Sequence, residues 1–184
     1  CQRGGDAITW MQEYHQLSFH EACERLTSGD LPTLTQPQSQ QPEPAPDSEP
    51  PDADWQAAAR EVSRIAMDTL WSREGKHAWD YLAVERGLTE KTIVDAGLGY
   101  VPGGHREWKT LAGLNVPCGI VIPWFGDGVI WGIKVRRAAG EPRYQQVRGG
   151  RISRGLYLGD DIRPGLPILL AEGEFDALIA RQVG

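Results

Sequence analysis

The sequence has few cysteines and no long apolar run. Three cysteines stand at positions 1, 23 and 118 of 184 residues, too few and too scattered for a disulfide framework, and an odd number is typical of a reducing compartment. The longest apolar runs, such as GIVIPWF at 119–125, are much shorter than the roughly 20 residues that a membrane-spanning helix needs. We therefore expect a soluble, cytoplasmic protein that is neither disulfide-stabilised nor associated with a membrane.

Acidic residues outnumber basic ones, but the basic residues are not spread evenly. The formal net charge is -6, yet residues 129–158 contain seven basic side chains and a single acidic one, Glu141. The rest of the chain is therefore strongly acidic. Positive charge gathered in one segment indicates a surface that could meet a polyanion.

Composition divides the chain into segments. Residues 1–28 contain two helical patterns, and the second begins with Ser18 and Glu21 in the S-x-x-E spacing of a capping box. Residues 32–54 then hold seven prolines and four glutamines and almost nothing apolar, so burial cannot offset the entropy of ordering them. We predict a small helical unit over 1–28 and a disordered linker over 29–54.

The pattern after the linker predicts helices first and strands later. Apolar residues recur at helical spacing in 55–71, a second helical stretch ends at Gly87, and Thr89 caps a third helix. A Gly-Asp-Gly turn between two alternating apolar runs predicts a β-hairpin, and 142–151 and 155–159 are interpreted as further short strands. The predicted fold class is α+β, with a mixed helical and β subdomain over 55–166.

The second strand of the hairpin has one basic face. Alternation along the strand puts Lys134 and Arg136 on one face and Ile133 and Val135 on the other. Cations along a sheet face near aromatic rings are what contact with phosphates and stacking on bases require. The candidate nucleic-acid-binding residues are Lys134, Arg136, Arg137, Arg143, Tyr144, Arg148, Arg151 and Arg154. The alternative is a solvated strand face that binds nothing.

The sequence ends in an apolar run, PILLAE, followed by a helical pattern. The run is typical of a strand covered on both faces in a parallel sheet, where ligands bind at the carboxyl ends of the strands. Glu172 lies at that end and Asp176 lies in the first turn of the helix, so the two carboxylates could hold Mg²⁺. The alternative is that these acids only complement the helix N-terminus.

Four stretches in order resemble the bacterial DnaG-type primases and their phage and plasmid relatives. They are CQRGGDAITWMQEYHQLSFHEACERL, YLAVERGLTEKTIVDAGLGYVP, GIVIPWFGDGVIWGIKVRR with YQQVRGGRISRGLYLGD, and LLAEGEFDALIARQVG. The first is similar to the end of the zinc ribbon of that family, and the last to the opening strand and helix of a Toprim domain. Glu174 stands where the family commonly has an aromatic residue.

The resemblance implies a fragment of a primase, spanning the end of a zinc ribbon to a truncated Toprim domain over 167–184. Cys1 would be the last zinc ligand of a site that this chain does not complete, and Glu172 and Asp176 would be the catalytic acids that bind Mg²⁺ or Mn²⁺. The parent protein would use Zn²⁺ and nucleoside triphosphates, make RNA primers on single-stranded DNA, and meet a separate or fused replicative helicase. The fragment alone is expected to be inactive.

Two other functions remain open from the sequence. One is an accessory replication module that binds single-stranded DNA without catalysis. The other is a Toprim nuclease or topoisomerase, against which the basic strand segment and the zinc-ribbon resemblance both argue.

Overall fold

The computed structural model describes residues 7–28 and 49–184, with the side chains of Trp10 and Arg154 outside that description. The chain divides into two compact units, 1–43 and 44–184. Cys1 and most of the predicted linker lie outside the described residues. Within the described ranges, no helix is long and apolar enough to cross a membrane.

The first unit contains two packed helices, α1 (Ala7–His15) and α2 (Phe19–Ser28). The predicted capping box is confirmed. The Ser18 amide donates to Glu21 Oε2 at 2.8 Å, and the Glu21 amide donates to Ser18 Oγ at 3.3 Å. Met11 and Ala22 are buried in this unit.

The second unit begins with the long helix α3 (Ala53–Leu70). It starts one residue before the predicted end of the linker at 54, because Asp52 caps the helix by accepting from the Trp55 amide at 2.9 Å. Helical spacing predicts a buried stripe of Ala58, Val62, Ile65, Ala66 and Leu70. The structure buries Trp55 and Ala59 as well, and it leaves Ala58 and Ile65 only partly buried. This stripe covers one face of the sheet.

Three short helical segments follow, and the predicted boundaries are confirmed. The helix α4 (Lys76–Asp80) continues into one π-helical turn (Tyr81–Glu85). The helical stretch ends before Gly87, whose φ is 69°. The helix α5 (Glu90–Asp95) is capped by Thr89, whose side chain accepts from the Thr92 amide. The π-helical turn places two side chains of this segment, Tyr81 and Arg86, against each other.

The central sheet has four antiparallel strands in the order β1-β4-β5-β6, and a separate hairpin pairs β2 with β3. The strands are β1 (Gly99–Val101), β2 (Trp108–Leu111), β3 (Leu114–Pro117), β4 (Gly119–Gly126), β5 (Val129–Arg136) and β6 (Tyr144–Gln146). The predicted hairpin is confirmed as β4 and β5, joined by Asp127 and Gly128 with positive φ values of 52° and 76°. Short turns of this handedness suit the twist of a two-stranded ribbon.

Both faces of the sheet are covered, by two different apolar clusters. Val121, Ile133 and Val135 pack with the buried face of α3. Ile120 and Ile122 pack on the other face with residues from the shorter helices and from α6 (Glu174–Val183). Lys134 and Arg136 point to this second side, so the basic face lies beside the helices that carry the remaining site residues.

Two of the predicted strands are wrong. Residues 155–159 form turns, with 3₁₀ segments at Ile152–Arg154 and Gly159–Asp161. Residues 167–171 are irregular and exposed, with Leu169 at 77% and Leu170 at 76% exposure. A strand needs a neighbour for its backbone hydrogen bonds, and none of the described strands lies beside this run. The helix α6 that follows is confirmed, as is the α+β class.

Candidate nucleic-acid interface

The helix α6 is held along its length against the second unit. Phe175 and Leu178 are buried in the apolar cluster that also contains Leu82. Near its end, Gln182 Oε1 accepts from the Thr89 amide at 2.7 Å and from the Thr92 hydroxyl at 2.8 Å. Gln182 Nε2 donates to the Gly87 carbonyl at 2.9 Å. The end of α6 is therefore tied to the turn between Arg86 and α5.

The start of α6 is held by an ion pair. Glu174, in the first helical turn, is only 5% exposed and lies 2.5 Å from the ammonium of Lys134 on β5. The Lys134 ammonium also lies 5.6 Å from the ring centre of Trp124 and 5.3 Å from that of Tyr144. The ammonium is thus surrounded by one carboxylate and two aromatic faces.

Two guanidinium groups lie against the ring of Tyr81. Arg136 is 4.3 Å and Arg86 is 5.6 Å from the centre of that ring, and Arg86 also lies 5.2 Å from the ring of Phe175. Arg86 Nε donates to the Tyr81 hydroxyl at 2.7 Å, and this bond raises the pKa of the guanidinium. We call the whole group the cation–aromatic cluster. Its members are Tyr81, Arg86, Trp124, Lys134, Arg136, Tyr144 and Phe175.

The tyrosine on β6 stays uncharged. Burial raises the pKa of Tyr144, against the smaller opposing effect of Arg136. A neutral, half-buried phenol ring beside two guanidinium groups offers a flat surface for stacking as well as a hydroxyl for a hydrogen bond.

Three of the predicted binding residues, Arg137, Arg143 and Arg151, donate from their guanidinium groups to backbone carbonyls. Arg137 is 6% exposed and donates to the carbonyls of Pro142 and His105, at 3.0 Å from Nε and 3.2 Å from Nη1. Arg143 donates to the Ala138 carbonyl and is half-buried. These bonds close the loop between β5 and β6.

The remaining basic residues lie after β6. Arg148 is exposed, and its backbone carbonyl accepts from the indole of Trp55 at 3.0 Å. Arg151 is half-buried and donates to the Glu49 carbonyl at 2.8 Å. The side chain of Arg154 lies outside the part of the chain that the structure describes.

The two predicted catalytic acids have different surroundings. Glu172 is exposed and lines a cavity of about 650 Å³ together with Glu174, Lys134 and Trp124. Asp176 is also exposed, but it lies outside that lining and contributes to the electrostatic environment of Arg86. In 7–28 and 49–184, no three His, Cys, Asp or Glu side chains come together as a metal site.

Sequence reasoning missed four members of the cation–aromatic cluster, namely Tyr81, Arg86, Trp124 and Phe175. A signal was present for two of them. Tyr81 and Arg86 both stand in the YLAVERGL stretch that carries the family resemblance, and their spacing of five residues fits the π-helical turn that brings them together.

Comparisons with known proteins support the resemblance. No family model matches the chain. A DNA primase of Myxococcus xanthus is 27% identical over an alignment that includes all of this chain. The chain spans 35% of the length of that relative.

Solved primase structures share limited similarity with the chain. A primase of Aquifex aeolicus with its zinc-binding and RNA polymerase domains is 20% identical, with a TM-score of 0.39 over 82% of this chain and 40% of that one. A DnaG primase catalytic domain bound to single-stranded DNA is 16% identical, with a TM-score of 0.43 over 50% and 37%. The alignment of this whole chain with the Myxococcus relative confirms the resemblance to DNA primases that the sequence motifs predicted.

Proposed function

We propose that the chain is part of a DNA primase that makes short RNA primers on single-stranded DNA. The observation that carries this proposal is the alignment of the whole chain with a DNA primase. The cation–aromatic cluster supports it, because guanidinium groups stacked on half-buried aromatic rings suit a polyanionic strand of bases. We also propose that the parent comes from a bacterium, phage or plasmid.

The proposed template surface consists of Arg86, Arg136 and Tyr144 of the cluster and the basic residues next to them. Arg86 and Arg136 would contact phosphates, and the ring of Tyr144 would stack on a base. Arg148, Arg151 and Arg154 would extend this contact after β6. Arg137 and Arg143 would shape the loop between β5 and β6 instead, since their guanidinium groups donate to the Pro142 and Ala138 carbonyls of that loop.

The proposed reaction is nucleotidyl transfer. The 3′-hydroxyl of a growing primer loses its proton to water and attacks the α-phosphorus of a nucleoside triphosphate. A new P–O bond forms, the bond to the bridging oxygen breaks and pyrophosphate leaves. Glu172 and Asp176 would hold Mg²⁺ or Mn²⁺, which would neutralise charge on the attacking and leaving oxygens. Arg86 and Arg136 would hold anionic substrate oxygens in place.

Three further parts of the proposal concern the parent protein. Cys1 would complete a zinc site whose other ligands come from outside this chain, because structural zinc needs four nitrogen or sulfur ligands. Residues 167–184 would be the start of a Toprim domain. A replicative helicase, separate or fused, would be the partner on the template.

The test is primer synthesis by the full-length protein with Glu172→Gln. We expect the variant to lose synthesis while it still binds single-stranded DNA, because it removes one carboxylate charge and leaves the cations in place. The matched control is Glu90→Gln, since Glu90 is an exposed acid on α5. Equal synthesis by wild type and Glu172→Gln would remove the proposed role of Glu172. DNA binding by a wild type that never makes primers would favour the accessory module.

A further inference from the structure

Of the acidic residues that the structure describes, only Glu174 is buried. Its neighbours in sequence, Glu172 and Asp176, are both exposed. A carboxylate is costly to remove from water unless a cation and hydrogen bonds compensate for the lost hydration. The buried position of Glu174 therefore requires a cation or hydrogen-bond donors next to its carboxylate.

Lys134 provides the cation that compensates for the lost hydration of Glu174, and strand pairing holds its backbone in place. It lies within β5, where its backbone is paired with Ile122 on one side and Gln146 on the other. Its side chain is 31% exposed, and its ammonium lies 2.5 Å from Glu174 Oε1 and beside the rings of Trp124 and Tyr144. Strand pairing fixes the base of the side chain and the two rings restrict its end.

The pair joins two parts of the unit that are distant in sequence. Glu174 begins α6 and follows Glu172 by two residues, with only Gly173 between them. Gln182 holds the other end of α6. It lies about 12 Å from Glu174 along the helix axis. The positions of the first turn of α6 and of Glu172 therefore depend on contacts at the N-terminal end of the helix.

We propose that Lys134 and Glu174 are a positioning pair that fixes the start of α6, and with it Glu172, beside the cationic face of the sheet. This inference rests on the proposed function, because it concerns where the proposed catalytic carboxylate stands. Neither residue reacts. Lys134 is then not a template contact, since its charge is already neutralised by Glu174.

The two possible roles of Lys134, phosphate contact and positioning residue, predict different effects of mutation on DNA affinity. If Lys134 contacted phosphates, Glu174→Gln would free a cation and strengthen binding, whereas Lys134→Met would weaken it. If the two residues are a positioning pair, both single variants leave DNA affinity within about twofold and lower kcat instead. The double variant Lys134→Met with Glu174→Gln is then no worse than the poorer single variant, because the partners act as one unit.

The experiment measures kcat, the KM for ribonucleotides and the Kd for single-stranded DNA with the full-length protein. Lys134→Arg is the conservative variant and should retain activity, since a guanidinium pairs with a carboxylate and stacks between rings. The matched control is Lys76→Met, which breaks an ion pair to Asp80 whose lysine is 72% exposed. That control should change none of the three quantities.

Hydrogen exchange provides a measurement that does not depend on activity. The Ala177 amide donates to the Gly173 carbonyl at 3.0 Å in the first turn of α6. Each single variant should raise its exchange rate at least about 10-fold, since breaking a buried pair leaves one charge uncompensated. Lys134→Arg should leave it unchanged. If wild type makes no primers, the proposed function fails, while exchange still decides whether the pair holds the helix. Unchanged exchange, or faster exchange with unchanged kcat, would overturn the positioning role.

Discussion

The guanidinium of Arg136, at the end of β5, lies 4.3 Å from the ring centre of Tyr81 in the π-helical turn. The same ring carries Arg86 at 5.6 Å, so two cations from different elements share one aromatic surface. Two guanidinium groups on one aromatic ring concentrate positive charge at this place, and that charge would attract an anion. This arrangement is the physical basis of the proposed template contact.

Replacement of Arg136 should weaken binding of single-stranded DNA. Arg136→Ala removes one proposed phosphate contact, so the slope of log K against log salt should fall by about 0.7 for each phosphate that is no longer neutralised. Fluorescence anisotropy of a labelled oligonucleotide over a salt series measures both quantities. Arg60→Ala is the control, because Arg60 is exposed on α3. An unchanged salt slope in Arg136→Ala would contradict the proposed contact.

Replacement of Arg137 should affect stability rather than binding. Arg137→Ala leaves the carbonyls of Pro142 and His105 without their donors, and hydrogen bonds to charged groups contribute about 1.5–3 kcal/mol each. We expect the free energy of unfolding to fall by about 2 kcal/mol or more, measured by urea denaturation. DNA affinity of the folded variant should match wild type. Normal stability with lost binding would reverse this assignment.

Gln182 should be important for the docking of α6. Gln182→Ala removes one acceptor and one donor that together make three hydrogen bonds to the Gly87–Thr92 region. The expected loss in the free energy of unfolding is about 1–3 kcal/mol, with faster hydrogen exchange at the end of α6. Gln12→Ala, at a partly buried glutamine in the first unit, is the control. Exchange that does not change in Gln182→Ala would show that the apolar contacts of α6 suffice.

Tyr157 gives the unit a predicted pH dependence. Burial raises the pKa of its phenol above the ordinary value of 10.0. The unfolded chain therefore loses this proton at a lower pH than the folded one, and stability declines as the pH rises above about 10. The Tyr157 hydroxyl has no hydrogen-bond partner in the described structure. Tyr157→Phe should therefore keep its stability at pH 7 and lose less of it between pH 9 and pH 11, measured by urea denaturation. Identical pH profiles would contradict this prediction.

Local signals in the sequence predicted local structure well. The capping box of Ser18 and Glu21, the cap at Thr89 and the hairpin turn at Asp127 and Gly128 each depend on residues a few positions apart. Such features form in the same way wherever the segment lies in the fold. They were therefore predictable from the sequence.

Features that depend on distant partners were not predictable. The run at 167–171 is apolar enough for a strand, but strand formation needs a neighbouring strand that the run itself cannot specify. The burial of Glu174 requires Lys134, forty positions earlier, and the stacking of Arg86 requires Phe175. Periodicity carries no information about such pairs. The roles of Glu172 and Asp176 in metal binding stay predictions.

The most direct test of the central claim is photocrosslinking of the full-length protein to single-stranded DNA that contains 5-bromodeoxyuridine, followed by peptide mass spectrometry. Stacking of bases on the cation–aromatic cluster predicts crosslinks to Tyr81 or Tyr144, and it predicts that Arg136→Ala reduces their yield. Crosslinks confined to other surfaces, with none in these two peptides, would contradict the proposed template path beside Glu172.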